Sequence, residues 1–319
     1  MLDHGPLSDA CAKGEILPLY ILEPVLWRQP DVSYRHFIHL QHYLSQLDDM
    51  FIKRGAKLVI KVGEALPVLK SLATRHNVKA IFSHYETWNK FSKDRDSAIR
   101  KWTDENSIDW KEYQQNGVVR NLNSRDGWST LWHSHMRKKI YEVPEKILCV
   151  SEDSDNLPSC QDMSLEFDGF EPNSNLGKIE PGIVLKSFLT ERGENYQREM
   201  SGPLLSADSC SRLSTHIAFG TISIRTIFQR TQEQTQKKLD LVGDKLKNWR
   251  ASYNSFQKRL RWHCHFIQKL EDLRSIEWKN IHPIYDKLER ETSYSENFER
   301  WKRGAVSYTH LTLPTSFVV

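Results

Sequence analysis

The feature that most constrains the fold is an alternation of short apolar runs and amphipathic segments in the first hundred residues. Residues 16–22, 57–62 and 80–83 are short and mainly apolar, as buried strands are. Between the first two runs, apolar side chains recur at steps of three and four and predict a helix: Phe37, Leu40, Leu44, Leu47 and Phe51. Strand, helix and strand at this spacing predict a parallel α/β sheet, which helices near 65–73 and 94–102 would extend.

Composition narrows the class of protein. The chain has 319 residues, 39% of them hydrophobic, which is enough for two ordinary cores. No apolar run approaches the length of a membrane span, and residues 1–6 lack the basic head and apolar segment of a secretion signal. We therefore expect a soluble protein of the cytoplasm or nucleus, with no membrane partner. Five scattered cysteines without a CxxC pair favour a reducing compartment, and a net charge of +4 permits nucleic-acid binding without demanding it.

A serine-rich stretch is the strongest candidate for anion binding, because the chain has neither a GxGxxG fingerprint nor a Walker loop. Residues 206–225 place several small hydroxyl side chains ahead of a short apolar run: Ser206, Asp208, Ser209, Ser211 and Ser214. Such residues cap the first amides of a helix and can leave other N–H groups free for a phosphate. Capping alone is the simpler interpretation of this pattern.

The same stretch resembles a known flavin site. Tyr196, the turn Cys210-Ser211-Arg212-Leu213-Ser214 and the following residues 218–223 resemble the flavin-binding entry of the photolyase/cryptochrome family, whose Ser-Arg-Leu-Ser turn wraps the diphosphate of a U-shaped FAD. The first region resembles that family's amino-terminal domain at many ordered points: Asp3-His4, Tyr20-Ile21, Ser33-Tyr34-Arg35, Gly63, His84-Tyr85-Glu86, Arg95-Asp96, Trp102 and Arg125-Asp126.

The resemblance implies a Rossmann-like α/β domain over residues 1–140, a linker over 141–190 and an incomplete all-α FAD-binding domain over 191–304. Residues 151–181 are acidic and rich in Ser, Asn, Gly and Pro, as an interdomain crossover is. A disordered spacer is the alternative, although the apolar pairs Leu148-Val150 and Phe167-Phe170 favour docking of parts of it.

Both ends depart from the family. Its members open with a strand ahead of the residues that match Asp3 and His4, and without that strand we expect the sheet to lack its central member. Residues 298–304 resemble the family's Trp-x-x-Gly element, but 305–319 match nothing in it. We expect that tail to be a cloning or sequencing artefact, with an unrelated exon as the alternative, and the chain to be truncated at both ends.

The resemblance also assigns site residues. It implies FAD contacts from Tyr196, Cys210, Ser211, Arg212, Leu213, Ser214, Phe256 and Arg259, and it turns Arg259, Trp262 and His263 toward a DNA lesion. Trp262 would stack on a flipped-out base; a core tryptophan is the alternative. Arg259 stands where cyclobutane-type enzymes carry a glutamate, and His263 stands where arginine is usual. The resemblance also implies a groove in the first domain for an antenna chromophore of folate or deazaflavin type. It does not specify which pigment is bound, or whether one is bound at all.

Two structural details complete the expectations. Residues 117–120 favour an edge strand followed by a turn, and a long helix is predicted to bury the stripe Phe256, Leu260, His263, Ile267 and Leu270. In the run Trp262-His263-Cys264-His265, the last three residues are possible metal ligands, but consecutive residues diverge by about 100° on a helix, so these three cannot meet at one ion. We expect no metal and no catalytic side chain of the protein's own.

The implied function is FAD-dependent, blue-light-driven repair of pyrimidine dimers, a carbon–carbon lyase reaction. In photolyases, excited reduced FAD donates an electron to the dimer, the ring splits and the electron returns. The alternative is a cryptochrome-type photoreceptor, whose partner is a signalling protein instead of damaged DNA. The departures from the repair-enzyme pattern at Arg259 and His263 favour this alternative. A basic helical face would suit DNA phosphates or simply be solvated: Lys237, Lys238, Lys245, Lys247, Arg250, Lys258, Arg259 and Arg261. We expect the fragment by itself to be inactive and prone to aggregate.

Overall fold

The computed structural model describes residues 1–167, 169, 179–238, 240, 242–287 and 299–300. Most of the element at 298–304, the whole 305–319 tail and Phe170 lie outside these residues. The first half of the chain alternates helices and strands as expected: α1 Gly5–Lys13, β1 Leu19–Leu22, α2 Tyr34–Ile52, β2 Val59–Val62, α3 Ala65–His76, β3 Ala80–His84, α4 Lys90–Glu105 and β4 Asp109–Tyr113.

The strands form two parallel pairs. β1 pairs with β2 in the register Leu19 to Val59, and β3 pairs with β4 in the register Ala80 to Asp109. The parallel α/β character is confirmed, and no described strand joins β1 to β3, as expected for a sheet that lacks its central member. The edge strand predicted at 117–120 is wrong. The last described strand is instead β4, a few residues earlier, and its polar residues Asp109, Lys111 and Glu112 obscure the apolar pattern by which a strand is recognised in the sequence.

The acidic crossover is docked along the outer edge of β2. The Asp155 N–H donates to the Ile60 carbonyl at 2.8 Å, and the Val62 N–H donates to Asp155 Oδ2 at 2.8 Å. The Ile60 N–H donates to Ser154 Oγ at 3.0 Å. The disordered-spacer alternative therefore fails for residues 152–155, which satisfy backbone groups that an edge strand would otherwise expose.

Glu152 anchors this crossover through a lysine, an arginine and a histidine. Its carboxylate lies 2.7 Å from Lys61 Nζ, 2.8 Å from Arg75 Nη1 and 2.6 Å from His76 Nε2, and its side chain is only 4% exposed. The hydrogen bond from Lys61, followed by that from His76, lowers the pKa of Glu152 to about 2. A buried carboxylate is tolerated here because donors replace the water it has lost.

The second half is helical: α5 Trp128–Met136, α6 Pro181–Thr190, α7 Tyr196–Glu199, α8 Ser206–Ser209, α9 Ser214–Ala218, α10 Ile224–Lys237 and α11 Gly243–Asp272. Short 3-10 turns lie at Leu26–Arg28, Arg192–Asn195, Arg274–Glu277 and Pro283–Lys287. Ser223 caps α10 as predicted, accepting the Thr226 N–H at 2.9 Å. The helices share a core of large apolar residues that includes Trp128, Trp132, Phe188, Leu213, Phe228, Trp249, Tyr253 and Phe256.

The buried stripe of α11 differs from the predicted one. Phe256 and Leu260 are buried as expected, but the stripe continues through Cys264 and Gln268, and His263 is exposed. The Gln268 side chain explains the shift. Its amide donates to the Val119 carbonyl at 2.8 Å and accepts the Val119 N–H at 2.7 Å, so a polar residue is buried by pairing with a peptide group far away in sequence.

A buried ion pair joins the amino terminus to the helical region. Arg225 donates from Nε to Asp3 Oδ2 at 2.9 Å and from Nη2 to Oδ1, and the Ser223 hydroxyl donates to Asp3 Oδ2 at 2.5 Å. Asp3 has a left-handed backbone, with φ of 62°, and its N–H donates to the Tyr141 carbonyl at 2.9 Å. Both charged side chains are almost fully buried.

Replacing Asp3 with asparagine tests this pair, because asparagine keeps the size of the side chain and tolerates a positive φ. The Arg225 charge would remain buried without a counter-ion, so we expect the free energy of unfolding in urea to fall by about 3–5 kcal/mol. The control is Glu233→Gln, which breaks the exposed pair with Arg230 on the same helix as Arg225. It should cost about 0–1 kcal/mol, and equal losses in both variants would contradict the role assigned to Asp3.

Glu152→Gln tests the docked crossover. At neutral pH we expect the free energy of unfolding to fall by about 1–3 kcal/mol, because charge-assisted hydrogen bonds are lost. The folded-state pKa of Glu152 is about 2, below its ordinary value of 4.5. Its stabilisation is therefore complete above pH 4.5 and is lost as the pH falls toward 2. The difference between wild type and variant should shrink over that window, whereas the variant of exposed Asp153, Asp153→Asn, should match wild type throughout.

Candidate functional site

The turn before α9 is built differently from the predicted serine cap. Ser206 and Ser209 belong to the short helix α8, and the Ser209 hydroxyl donates to the Leu205 carbonyl at 3.0 Å. Leu213, which is fully buried, occupies the N-cap position of α9, and no side chain caps that helix. The capping prediction is therefore wrong. In the described structure the first amides of α9 have no side-chain acceptor.

The turn owes its shape to two arginines and one buried leucine. Arg212 adopts the left-handed region, with φ of 61°, and its Nε donates to the Ala207 carbonyl at 2.8 Å. This conformation turns the chain between extended Cys210 and buried Leu213. Ser211 is half-buried, while the side chains of Arg212 and Ser214 are exposed beside it.

Arg192, which the sequence did not single out, holds the turn from behind. Its Nη1 donates to the carbonyls of Asp208 at 2.9 Å and Cys210 at 2.5 Å, and its Nη2 donates to that of Ser211 at 3.3 Å. Its Nε donates to Ser187 Oγ at 2.8 Å. All these acceptors are neutral, so the guanidinium satisfies the carbonyls at the end of α8 while keeping its full positive charge.

Three positive charges surround Cys210. Burial raises the pKa of the Cys210 thiol, and Arg212, Arg192 and Arg259 oppose that rise through their charges. Within the part of the chain that the structure describes, none of these three guanidiniums lies within the 4.0 Å ion-pair distance of a carboxylate. Asp208 and Glu191 act on Arg192 only from beyond ion-pair distance, so the turn keeps an excess of positive charge, which suits an anionic ligand.

Tyr196 and Phe256 form an aromatic wall beside these charges. Their ring centroids are 5.9 Å apart at nearly right angles, and Phe188 contacts both rings at 5.4 and 4.7 Å. Burial raises the pKa of Tyr196 to about 12, with Cys210 adding to the rise and Arg259 opposing it. The structure thus brings Tyr196, Cys210 and Arg259 together, with Phe256 packed behind.

The lesion-facing candidates lie on two different faces of α11. The Arg259 guanidinium stacks over the Trp262 ring at 4.7 Å, and Trp262 is 49% exposed, which excludes the core-tryptophan alternative. His263 lines the large cavity between the helical region and the strands; its side chain is accessible from that cavity, but the protein around it still lowers its pKa by partial desolvation. Trp262 and His263 are therefore not brought together.

Sequence reasoning missed Arg192 and the partners of Asp3. Arg225 is the last residue of the serine-rich stretch and Asp3 belongs to the Asp-His motif, but the sequence did not indicate that these two residues are in contact. Nothing local distinguishes Arg192 from other arginines in the sequence, because its acceptors are backbone carbonyls in a later turn.

No described helix is long and apolar enough to cross a membrane.

Comparisons with known proteins agree with this architecture. The family model for DNA photolyase matches residues 1–126. A deoxyribodipyrimidine photo-lyase of Halobacterium salinarum is 22% identical, with 83% of this chain and 56% of that protein covered. Cryptochrome DASH of Arabidopsis thaliana is also 22% identical, with 75% of this chain and 46% of that protein covered.

A solved cryptochrome of Synechocystis shares the fold, with a TM-score of 0.77 at 18% identity; 98% of this chain and 67% of that one are covered. The chain spans about half the length of the curated relatives it matches. The family model over residues 1–126, these relatives and the shared fold agree in one respect: the chain is similar to photolyases and cryptochromes.

Proposed function

We propose that the Cys210–Ser214 turn binds the diphosphate of FAD. The observation that carries this proposal is the group of three guanidiniums, from Arg192, Arg212 and Arg259, without a carboxylate partner among the described residues. A diphosphate supplies the charge they lack, and guanidinium groups bind phosphate oxygens in a bidentate manner. The N–H groups of Ser214 and Thr215, at the start of α9, can add donors.

The residues of this site have three different roles in binding: they shape the turn, contact the ligand or form an apolar wall. Arg192 fixes the turn through backbone carbonyls, and Arg212 and Ser214 present exposed donors to the ligand. Tyr196 and Phe256 give the site a rigid apolar wall that excludes water. FAD, when bound, would supply light-driven electron transfer, while the protein supplies position and electrostatics.

We propose further that the protein acts in blue-light-driven repair of pyrimidine dimers in DNA, with Trp262 as the surface on which a flipped-out base stacks. An exposed indole tolerates any base, and stacking of this kind contributes about 1–3 kcal/mol per base. The support is the exposure of Trp262 and the relatives named as photo-lyases. The domain division at 140 and 190 belongs to the same proposal.

Photoreception without repair is the second candidate, and one contact favours it. The Arg259 guanidinium covers one face of the Trp262 ring, at 4.7 Å from its centre. A base that stacks on this face must displace a cation–π contact worth about 0.5–1 kcal/mol at an exposed site. In this reading the protein binds FAD and a signalling partner and leaves dimers untouched.

The flavin site is tested by Arg212→Gln. We expect the dissociation constant for FAD, measured by quenching of flavin fluorescence, to rise roughly tenfold because a charge-assisted phosphate contact is lost. FMN, which has no diphosphate, should bind more weakly and respond less to the substitution. Arg230→Gln, an exposed arginine of α10, is the matched control and should leave FAD affinity unchanged. Equal FAD affinity in Arg212→Gln and wild type would place the diphosphate elsewhere.

Repair is distinguished from photoreception by counting dimers in an irradiated oligonucleotide incubated with the FAD-loaded protein. Repair predicts loss of dimers under blue light and none in the dark, and Trp262→Ala should slow that loss by roughly 5- to 100-fold if stacking holds the base. Dimers that persist in light, with flavin bound, would favour the photoreceptor.

A further inference from the structure

Three side chains form a row along α11 that leads from the core to the surface. Phe256, Arg259 and Trp262 are spaced three residues apart, so they are neighbours on one side of the helix. Phe256 is buried against Tyr196, at 5.9 Å between ring centroids, whereas Trp262 is 49% exposed. Arg259 therefore lies between the aromatic wall of the flavin site and the exposed indole.

The Trp262 ring is the contact that holds Arg259. The ring centre lies 4.7 Å from the guanidinium carbon. In the described chain, no hydrogen bond or ion pair restrains this guanidinium. Because both residues belong to one helix and are three positions apart, their contact depends on no other part of the molecule.

The direction of the side chains places the charge of Arg259 toward the flavin site. Side chains on a helix lean toward its amino-terminal end, so each one covers the turn before its own Cα. The Trp262 indole thus covers the turn that carries Arg259, and the Arg259 side chain leans in turn toward Phe256. In this conformation its charge already opposes the rise in the pKa of Tyr196 and of Cys210. Arg259 is therefore stacked on the indole and directed toward the site at the same time.

A stacked guanidinium remains able to bind a phosphate. Its N–H donors point outward in the plane of the group, whereas the contact with an aromatic ring uses its flat face. A phosphate that approaches the edge of Arg259 therefore does not have to displace the ring. An arginine that nothing holds has to be ordered when the ligand binds, which costs conformational entropy. In the stacked arrangement this ordering precedes binding.

We propose that Trp262 is a positioning residue for the cofactor, which holds Arg259 in place to bind the diphosphate of FAD. The inference rests on the proposed flavin site at the Cys210–Ser214 turn and adds to it a residue that does not touch the diphosphate. Trp262 therefore acts in cofactor binding before any DNA base or signalling partner is present. The same indole links the flavin site to the surface on which a base is proposed to stack.

The probe is ADP, titrated against the full chain by isothermal titration calorimetry. ADP carries a diphosphate but no flavin ring, so a direct contact between Trp262 and the flavin cannot contribute. We expect Trp262→Ala to raise the dissociation constant of ADP roughly two- to tenfold, because Arg259 must then be ordered on binding. Trp262→Phe keeps an aromatic face over Arg259 and should lose less. The control Trp278→Ala removes an indole that is 55% exposed outside the flavin site, and it should bind ADP like wild type.

A double-mutant cycle separates positioning from a general loss of structure. Arg259→Gln alone should weaken ADP binding roughly tenfold, because a charge-assisted phosphate contact is lost. Trp262→Ala should add nothing in that background, because the side chain that the indole holds is gone. An equal loss from Trp262→Ala with and without Arg259 would overturn the proposal. Unchanged or tighter binding in Trp262→Ala would do the same, since tighter binding means that the indole keeps Arg259 away from the ligand.

The flavin site itself is tested by separate comparisons in the same titrations. ADP should bind wild type more tightly than AMP, and Arg212→Gln should weaken ADP binding whether or not Trp262 is present. If neither result is obtained, the diphosphate site is wrong and the role of Trp262 is wrong with it. If both are obtained and the cycle shows no coupling between Trp262 and Arg259, the flavin site stands and only the positioning role is wrong.

Discussion

The buried pair between Asp3 and Arg225 is the interaction on which the two halves of the molecule depend. Burying two charges is costly unless the remaining lone pairs and protons find partners. Asp3 meets that condition, since its carboxylate accepts from Arg225, from the Ser223 hydroxyl and from the Tyr141 N–H. Burial also lowers the pKa of nearby His84 to about 4, so that this ring is neutral beside the pair. The contact fixes the start of α10 and thereby the packing of Ile227 against α5 and α11.

The flavin turn follows from the same helical core. Leu213 is buried among the core aromatics and holds one end of the turn, while Arg192 holds its carbonyls. Because these carbonyls are neutral, the hydrogen bonds that they accept do not neutralise the positive charge of Arg192. A side chain that stabilises the turn therefore also makes it electropositive, and Arg212 adds to this with its left-handed backbone. Fold stability and anion binding come from one arrangement of groups.

Local sequence patterns correctly predicted the elements that are determined by residues close together in the chain. The stripe from Phe37 to Phe51 gave α2, and Ser223 capped α10. The predictions failed where a distant partner decides. Gln268 is buried because it pairs with Val119, and the stripe of α11 shifts with it. Trp262 and Phe266, which the predicted stripe did not include, are both 49% exposed although they are large and apolar. The uncapped start of α9 likewise depends on Leu213 entering a core built by other helices.

The division of the sheet shows which forces hold this α/β region together. No backbone hydrogen bond joins β1 to β3 in the described chain, yet Ile21 of β1 and Ile81 of β3 pack in one apolar cluster with Ile99 and Trp102 of α4. The helical layer thus bridges the gap that the strands leave open. Side-chain packing is not directional and survives a missing ladder, whereas backbone groups require a partner at a fixed position. The apolar layer is therefore continuous across the gap, whereas the backbone ladder is interrupted between β1 and β3 in the described chain.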